Sequence, residues 1–215
     1  MKKVSRRIVL SVGLLAMFVV WTVAVQCVDV QAIGPMGSTV GFATINRWVH
    51  NLTGVHLGLY ILTDWLGLVP VAVCFGFGVL GLVQWIRRKH LKNVDFSILV
   101  LGGFYLLTMV CYLLFESVVI NYRPILIEGQ LEVSYPSSTT LLVLCVMPTA
   151  MLQLMERITH IAISKCVSYV ICCFMTFMVI ARLVSGVHWL SDIVGGALLS
   201  AGLVTMYSGI CSMRK

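Results

Sequence analysis

The chain has 215 residues, of which 60% are hydrophobic and only 11% are charged. Such a composition excludes an ordinary soluble enzyme, because too few polar residues remain to cover the apolar ones, and it indicates a protein embedded in a lipid bilayer. The net charge of +7 does not require a nucleic-acid partner, because membrane proteins carry an excess of basic residues in their loops. We therefore expect no nucleic-acid partner.

Six apolar stretches are long enough to cross a membrane as helices. A hydrocarbon core about 30 Å thick needs roughly 20 residues of helix. The sequence therefore predicts an all-α fold, a single domain over residues 1–215 that forms a bundle of six transmembrane helices. Close helix contacts are expected at Gly102-Gly103 and Gly195-Gly196. The predicted spans are 8–25, 66–86, 97–120, 137–155, 164–185 and 191–213.

The distribution of basic residues predicts the orientation of the bundle. If the spans alternate in direction, twelve of the fifteen lysines and arginines fall on one side of the membrane. The positive-inside rule identifies this side as cytoplasmic, and both chain termini lie on it. Three basic residues remain on the outer side, namely Arg47, Arg123 and Arg182.

The first span follows the basic segment MKKVSRR, as the apolar part of a secretory signal peptide does. Its apolar run is long, and the segment VAVQCVDVQ that follows offers no cleavage site with small residues. We therefore expect a retained membrane anchor.

The longest stretch between predicted spans is residues 26–64. Apolar residues recur there at helical intervals, which predicts a helix lying in the outer membrane interface. A packed lid, or a long extension of the second span, is the alternative. The apolar positions are Phe42, Ile45, Val49 and Leu52. Structural roles in packing or lipid contact are expected for Arg47, His50 and His56.

Polar residues concentrate between the third and fourth spans. Arg123 follows the third span, and Pro124 fixes the chain in an extended turn. The fourth span opens with Pro136, Ser137 and Ser138. This is a typical helix start, where short hydroxyl side chains cap the free amides. The same amides, at the positive end of the helix dipole, form a site for an anion such as phosphate.

The link between the fifth and sixth spans holds a histidine and an aspartate at helical spacing. His188 and Asp192 are four residues apart, so they share one face of a helix. A carboxylate that holds one imidazole nitrogen leaves the other directed outward as a nucleophile or base. Arg123 and Arg182 reach the same side of the membrane by topology. Together the four residues predict a phosphate group as ligand.

The sequence predicts no metal and no other cofactor. His188 and Asp192 supply only two ligands, and no other outer cluster clearly supplies a third. Seven of the eight cysteines lie in or beside the predicted spans. Their spacing fits neither a disulfide framework nor a metal site, so we expect them to pack.

At these residues the chain resembles the type 2 phosphatidic acid phosphatase family, which consists of membrane lipid-phosphate phosphatases with six spans. The third motif of that family is Ser-Arg-x5-His-x3-Asp. Here Ala181, Arg182, His188 and Asp192 occupy its positions, so only the leading serine is absent. The resemblance extends from residue 97 to the C-terminus, roughly half of the chain.

The other two motifs of the family are only partly present. The lysine of Lys-x6-Arg-Pro falls on Glu116, which should not bind phosphate and is expected to pair with an arginine or face elsewhere. The histidine of Pro-Ser-Gly-His falls on Thr139, and a threonine does not donate a proton readily at neutral pH. The parts that match are Arg123-Pro124 and Pro136-Ser137.

The resemblance implies a reaction through a covalent intermediate. His188 would attack phosphorus to form a phosphohistidine, Asp192 would orient it, and water would then release phosphate. Charge on the phosphoryl oxygens would be held by cationic and amide donors. The expected phosphate-binding residues are Arg123, Arg182, Ser137 and Ser138.

The missing acid favours a substrate with a good leaving group. Phosphatidate must expel a poor alkoxide, whereas a lipid diphosphate expels a lipid monophosphate, which needs an acid much less. We therefore expect a lipid diphosphate such as a polyprenyl diphosphate, cleaved at the outer face of a bacterial plasma membrane. The alternatives are transfer of the phosphoryl group to another lipid or sugar, or a phospholipid-binding or structural protein that has lost catalysis.

Overall fold

The structure is a computed structural model that describes residues 2–214, with side chains from residue 4 onward. Within this range the fold is all-α, as predicted. The helices are α1 (Lys2–Cys27), α2 (Ala43–Thr53), α3 (Leu57–Leu66), α4 (Leu68–Arg88), α5 (Phe96–Ser117), α6 (Ser138–Arg157), α7 (Ile161–Val184) and α8 (Leu190–Cys211).

Six helical segments of the described chain are long and apolar enough to cross a membrane, which confirms the predicted spans. The second segment is longer than predicted, because α3 and α4 together cover Leu57–Arg88. They meet at Gly67, whose N–H donates hydrogen bonds to the carbonyls of Thr63 and Asp64. The extension of the second span, one of the two alternatives for residues 26–64, is therefore present.

The amphipathic helix predicted for the same stretch is also present, as α2. Its apolar residues Ile45, Trp48 and Leu52 are exposed, whereas Asn46 is buried and bonds to Ser191 of α8. An exposed apolar stripe beside a membrane bundle suits contact with the lipid interface. That contact stays a prediction.

The centre of the bundle is formed by α6 and α8. In the most apolar 18-residue stretch of each of these helices half of the residues are buried, compared with 6% in the segment formed by α3 and α4. The helix α8 packs along α1 and against α6. The apolar side chains that meet there come from α1, α5, α6, α8 and the loop before α6, and they include Phe18, Leu101, Tyr135, Leu203 and Tyr207. The other helices therefore present most of their surface to lipid.

Glycines on α8 allow this close packing. A Cβ atom at Gly195 would lie 2.6 Å from the ring of Tyr135, and one at Gly196 would lie 3.2 Å from a carbonyl oxygen at the start of α6. Apart from the adjacent residues and the backbone of α5 itself, no atom of the described chain lies within 4 Å of a Cβ atom built at Gly102 or Gly103. The predicted close contact is thus confirmed for α8 and wrong for α5, where the two glycines are exposed.

Basic residues gather at one end of the bundle, called here the basic end. Arg7 of α1 donates to Ser212, which follows α8, so the first and last helices meet there. Asp95 joins Arg88 at 2.8 Å and Arg157 at 3.4 Å, and the hydrogen bond from Arg88 is the main cause that lowers the pKa of Asp95. The assignment of this end to the cytoplasm stays a prediction. Outside the described part lie Lys215 and the side chains of Lys2 and Lys3.

We expect Gly195→Ala to destabilise the bundle, because the added methyl group would collide with the buried Tyr135 ring. Overpacking of this kind costs about 1–3 kcal/mol. The matched control is Gly103→Ala, which adds the same methyl group to a transmembrane helix at an open position. Thermal unfolding in detergent micelles checks this, and an equal midpoint for the two variants would contradict the packing of α8.

Candidate active site

The predicted site residues converge at the end of the bundle opposite the basic end. Arg182 lies in the last turn of α7, and Asp192 lies in the first turn of α8. His188 occupies the short turn between these helices, and Arg123 comes from the loop between α5 and α6. Two separate parts of the chain, the segment 182–192 and the loop that holds Arg123, therefore contribute to this site.

A hairpin-like loop positions Arg123. An antiparallel bridge pairs Tyr122 with Val133 in this loop. The backbone N–H of Arg123 donates to the carbonyl of Glu132 at 3.0 Å, and its Nε lies 2.9 Å from the Glu132 carboxylate. The cross-strand neighbour thus holds the guanidinium group by an ion pair, and sequence analysis did not single it out.

The helix α3 positions Arg182. The guanidinium Nη1 of Arg182 donates to the Thr63 hydroxyl at 3.1 Å and to the Asp64 carboxylate at 3.3 Å. Its Cζ lies 4.9 Å from the centre of the Tyr60 ring, and that of Arg123 lies 5.9 Å from the same ring. The sequence could have indicated these contacts, because residues 60, 63 and 64 share one face of a helix.

Asp192 is fully buried and its carboxylate is held by hydrogen bonds. One oxygen accepts the backbone N–H of Trp189 at 2.9 Å, and the other accepts the side-chain amide of Asn121 at 3.2 Å. The preceding residue, Ser191, donates its backbone N–H to the side-chain oxygen of Asn46 at 3.1 Å. Both asparagines were missed by sequence analysis, although an amide side chain beside apolar segments is a signal of a buried polar contact.

His188 lies beside Asp192 and is only 3% exposed. Its Nδ1 is 3.7 Å from the nearer carboxylate oxygen, which is longer than a hydrogen bond. Within the described chain neither ring nitrogen makes a hydrogen bond of ordinary geometry, although the backbone of Ser134 lies close enough to the ring to oppose the lowering of its pKa. The predicted pairing of His188 with Asp192 is therefore a close contact, and Nε2 is the nitrogen that points away from the carboxylate.

The surroundings of His188 keep its imidazole neutral. Burial is the main cause, and the positive charges of Arg182 and Arg123 add to it, so that the pKa of His188 is well below its ordinary value of 6.5. A neutral imidazole has a lone pair for attack on phosphorus, whereas an imidazolium does not. At neutral pH this histidine is therefore chemically suited to act as a nucleophile.

A cavity of about 590 Å³, called here the polar cavity, opens beside the two arginines. A narrow recess of about 10 Å³ adjoins it and has His188 in its wall. A ligand at the boundary between them would lie next to the arginines and the histidine. The polar cavity is also lined by Tyr60, Asp64, Glu132 and Thr139. The residues shared by its wall and that of the recess are Tyr112, Glu116, Val133 and Ser138.

The structure does not bring Ser137 to the polar cavity. This residue is fully buried, its N–H donates to the backbone carbonyl of Asp192, and its hydroxyl accepts a hydrogen bond from Thr140. Among the described residues no side chain forms a capping hydrogen bond at the start of α6, so the predicted hydroxyl cap is wrong. The first amides of α6, at Ser138 and Thr139, have no partner inside the helix and lie at the cavity wall.

Glu116 lines both the polar cavity and the recess. The two arginines of the cavity already pair with Asp64 and Glu132. Among residues 2–214 no ion pair joins Glu116 to any basic side chain. The predicted pairing of Glu116 with an arginine is therefore not present in the described chain.

The remaining polar residues of the segment 26–64 take structural positions, as expected. The His50 ring packs 5.5 Å from that of Trp189, and burial lowers the pKa of His50. The Nε2 of His56 lies 2.9 Å from the carbonyl oxygen of Thr53, one turn earlier. Arg47 is exposed.

Comparison with known proteins identifies a family and a fold. The family model described as the PAP2 superfamily matches residues 72–214. A solved structure described as the first transmembrane PAP2 type phosphatidylglycerolphosphate phosphatase from Bacillus subtilis is similar, with a TM-score of 0.56. The two chains are 20% identical over 95% of this chain and 97% of that one, so the likeness concerns the fold. No curated protein matches the sequence.

We expect His188 to stay neutral at pH values where an ordinary histidine is half protonated. Because its pKa is lowered, the proton should bind only at more acidic pH, below the ordinary midpoint of about 6.5. Nitrogen-15 NMR of labelled histidine in detergent micelles measures this, with the signal identified by its loss in His188→Gln. Free histidine in the same micelles is the reference, and a midpoint at or above its value would contradict the burial of the ring beside two arginines.

Proposed function

This chain belongs to the PAP2 superfamily, and on that premise we propose that it is a membrane lipid phosphatase that removes the terminal phosphate of a lipid diphosphate. The proposal rests on one observation. A buried histidine lines a recess that adjoins a cavity lined by two arginines. A nucleophile and an anion site thus border two adjoining spaces.

The arginines supply donors for the phosphoryl group. Within the described chain, Nη1 of Arg123 and Nε of Arg182 are buried without a hydrogen-bond partner. Leaving such donors unpaired is unfavourable, so an anion that pairs with them gains free energy. The amides at Ser138 and Thr139 add the positive end of a helix dipole. These donors would hold the phosphoryl oxygens as charge develops during transfer.

The reaction would proceed through a phosphohistidine. The Nε2 lone pair of His188 attacks the terminal phosphorus, and the bridging P–O bond breaks with its electrons leaving on the lipid monophosphate. Asp192 lies at the opposite ring nitrogen, where its negative charge stabilises the developing positive charge of the imidazole. Water then displaces the histidine and releases inorganic phosphate.

The leaving group decides which lipid is cleaved. Thr139 lines the polar cavity. Cleavage of phosphatidate would need a protein acid there to protonate the departing alkoxide, and the threonine hydroxyl holds its proton at neutral pH. A lipid diphosphate avoids this requirement, because the departing lipid monophosphate is already a weak base. The site therefore favours a diphosphate over phosphatidate.

A second cavity, called here the apolar groove, supports the proposal that the substrate has a long hydrocarbon tail. It has a volume of about 870 Å³, runs between α4, α5 and α6, and shares Tyr112 and Leu142 with the polar cavity. Its wall includes both Ile98 and Tyr112 of α5, which lie roughly 20 Å apart at 1.5 Å per residue of helix. One leaflet of the hydrocarbon core is only about 15 Å deep. A polyprenyl chain that is longer than an ordinary acyl chain suits this depth.

In the proposed orientation the site lies at the outer face of a multi-pass cell membrane, and this orientation depends on the charge pattern of the whole chain. The basic end would lie in the cytoplasm by the positive-inside rule. The lipid would enter the polar cavity sideways from the outer leaflet.

We expect His188→Ala to abolish phosphate release, by at least about 10³-fold, because the nucleophile is removed. Purified protein would be assayed with a polyprenyl diphosphate and with phosphatidate in mixed micelles. The parent should prefer the diphosphate, and analysis of the labelled protein at alkaline pH, where a P–N bond is stable, should place phosphate on His188. A clear preference for phosphatidate would reject the proposed leaving group. Absence of activity on both lipids would favour a binding or structural protein, and transfer of label to an added lipid would indicate a phosphotransferase.

We expect Gly102→Leu to hinder long-chain substrates selectively. Gly102 lines the apolar groove, so a leucine there would displace the tail. Since overpacking costs about 1–3 kcal/mol, kcat/KM for a long polyprenyl diphosphate should fall about tenfold, with little change for a short prenyl diphosphate. The matched control, Gly103→Leu, adds the same side chain at an open position that is not in the groove wall. Equal effects of the two variants on both substrates would argue against a tail in the groove.

A further inference from the structure

We propose that Glu116 is the general base that activates water for hydrolysis of the phosphohistidine. The inference rests on the proposed function, and it gives a catalytic role to a residue that the motif comparison identified only as a departure. It is carried by the position of Glu116 in the walls of both the polar cavity and the recess.

The recess limits where the phosphoryl group can lie. Its volume of about 10 Å³ corresponds to about one water-sized probe, which is too small for a phosphoryl group with three oxygens. The group bonded to His188 must therefore lie at the boundary with the polar cavity. Glu116 and Ser138 line both spaces and so border this boundary.

The direction of water attack also points to Glu116. A phosphoryl group is transferred with the attacking and leaving atoms roughly in line. Water must therefore approach phosphorus from the side opposite His188, through the polar cavity that the leaving lipid has vacated. A base for this water has to line the polar cavity close to the histidine recess, as Glu116 does.

The other carboxylates of the cavity are committed to ion pairs. Asp64 lies 3.3 Å from Arg182, and Glu132 lies 2.9 Å from Arg123. Neither lines the recess. Within the described residues Glu116 forms no ion pair, so its carboxylate does not neutralise an arginine that the phosphate needs.

The remaining polar groups at the boundary are poor bases. Tyr112 and Ser138 line both spaces, and Thr139 lines the polar cavity. A phenol or an aliphatic hydroxyl holds its proton at neutral pH, whereas a carboxylate accepts one. Of the groups on this boundary, Glu116 is therefore the one suited to take a proton from water.

The proposed step balances in atoms and charge. The oxygen of one water molecule forms a bond to phosphorus, and the P–N bond breaks with its electron pair returning to Nε2 of His188. One proton of the water passes to the Glu116 carboxylate, and the other stays on the inorganic phosphate. Glu116 is exposed, so it can then return its proton to solvent.

The test is Glu116→Gln, which keeps the size and hydrogen-bonding capacity of the side chain but removes the base. Mixing this variant with a polyprenyl diphosphate labelled in its terminal phosphate should give a burst of lipid monophosphate equal to the enzyme concentration. Labelled phosphohistidine should accumulate, and steady-state turnover should fall by about 10²- to 10⁴-fold. Added formate should restore part of the turnover of Glu116→Ala, because it can supply a carboxylate in the space that is opened.

The matched control is Glu128→Gln, the same change at an exposed glutamate of the loop that does not line either space. It should turn over like the parent. Normal turnover of Glu116→Gln, or loss of turnover without a labelled intermediate, would overturn the role of Glu116 while leaving the phosphatase proposal in place. If instead His188→Gln still forms labelled protein or releases phosphate, the phosphohistidine mechanism itself fails, and the role of Glu116 fails with it.

Discussion

The site depends on one carboxylate buried at the start of α8. A charge or polar group removed from water is costly unless hydrogen bonds satisfy it, and Asp192 meets this requirement with groups from separate parts of the chain. Its side chain binds the amide of Asn121 and the N–H of Trp189, and its carbonyl accepts the N–H of Ser137. The Arg123 loop, the start of α6 and the His188 turn are thereby fixed to one point. Replacing this aspartate would affect the geometry of the whole site.

Electrostatic balance explains how two arginines can lie side by side in this small space. Both guanidinium groups lie over the Tyr60 ring, and each has its own carboxylate partner, Asp64 for Arg182 and Glu132 for Arg123. These contacts reduce the repulsion between like charges while leaving one buried nitrogen of each arginine without a partner. The same positive charges help to keep His188 neutral. Anion binding and nucleophile activation therefore have a common electrostatic origin.

The polar cavity and the apolar groove meet at a single boundary between α5 and α6. Tyr112 and Leu142 belong to both walls, so a lipid with its phosphate near the arginines would have its tail directed into the bundle. Inside a bilayer such a groove offers little hydrophobic gain over surrounding lipid, because both are apolar. Its contribution would be to orient the head group toward His188, which is the entropic part of catalysis.

The sequence by itself determined the six spans, the helix α2 and the convergence of Arg123, Arg182, His188 and Asp192 at one end of the bundle. These features follow from local hydropathy and spacing, which neighbouring residues encode directly. Tertiary structure alone decided which residues hold the arginines and where Glu116 lies. It also buried Ser137 away from the cavity and left α5 without a close contact at its glycine pair. Such outcomes depend on how loops and helices distant in sequence pack together, and the spacing of neighbouring residues carries no information about that packing.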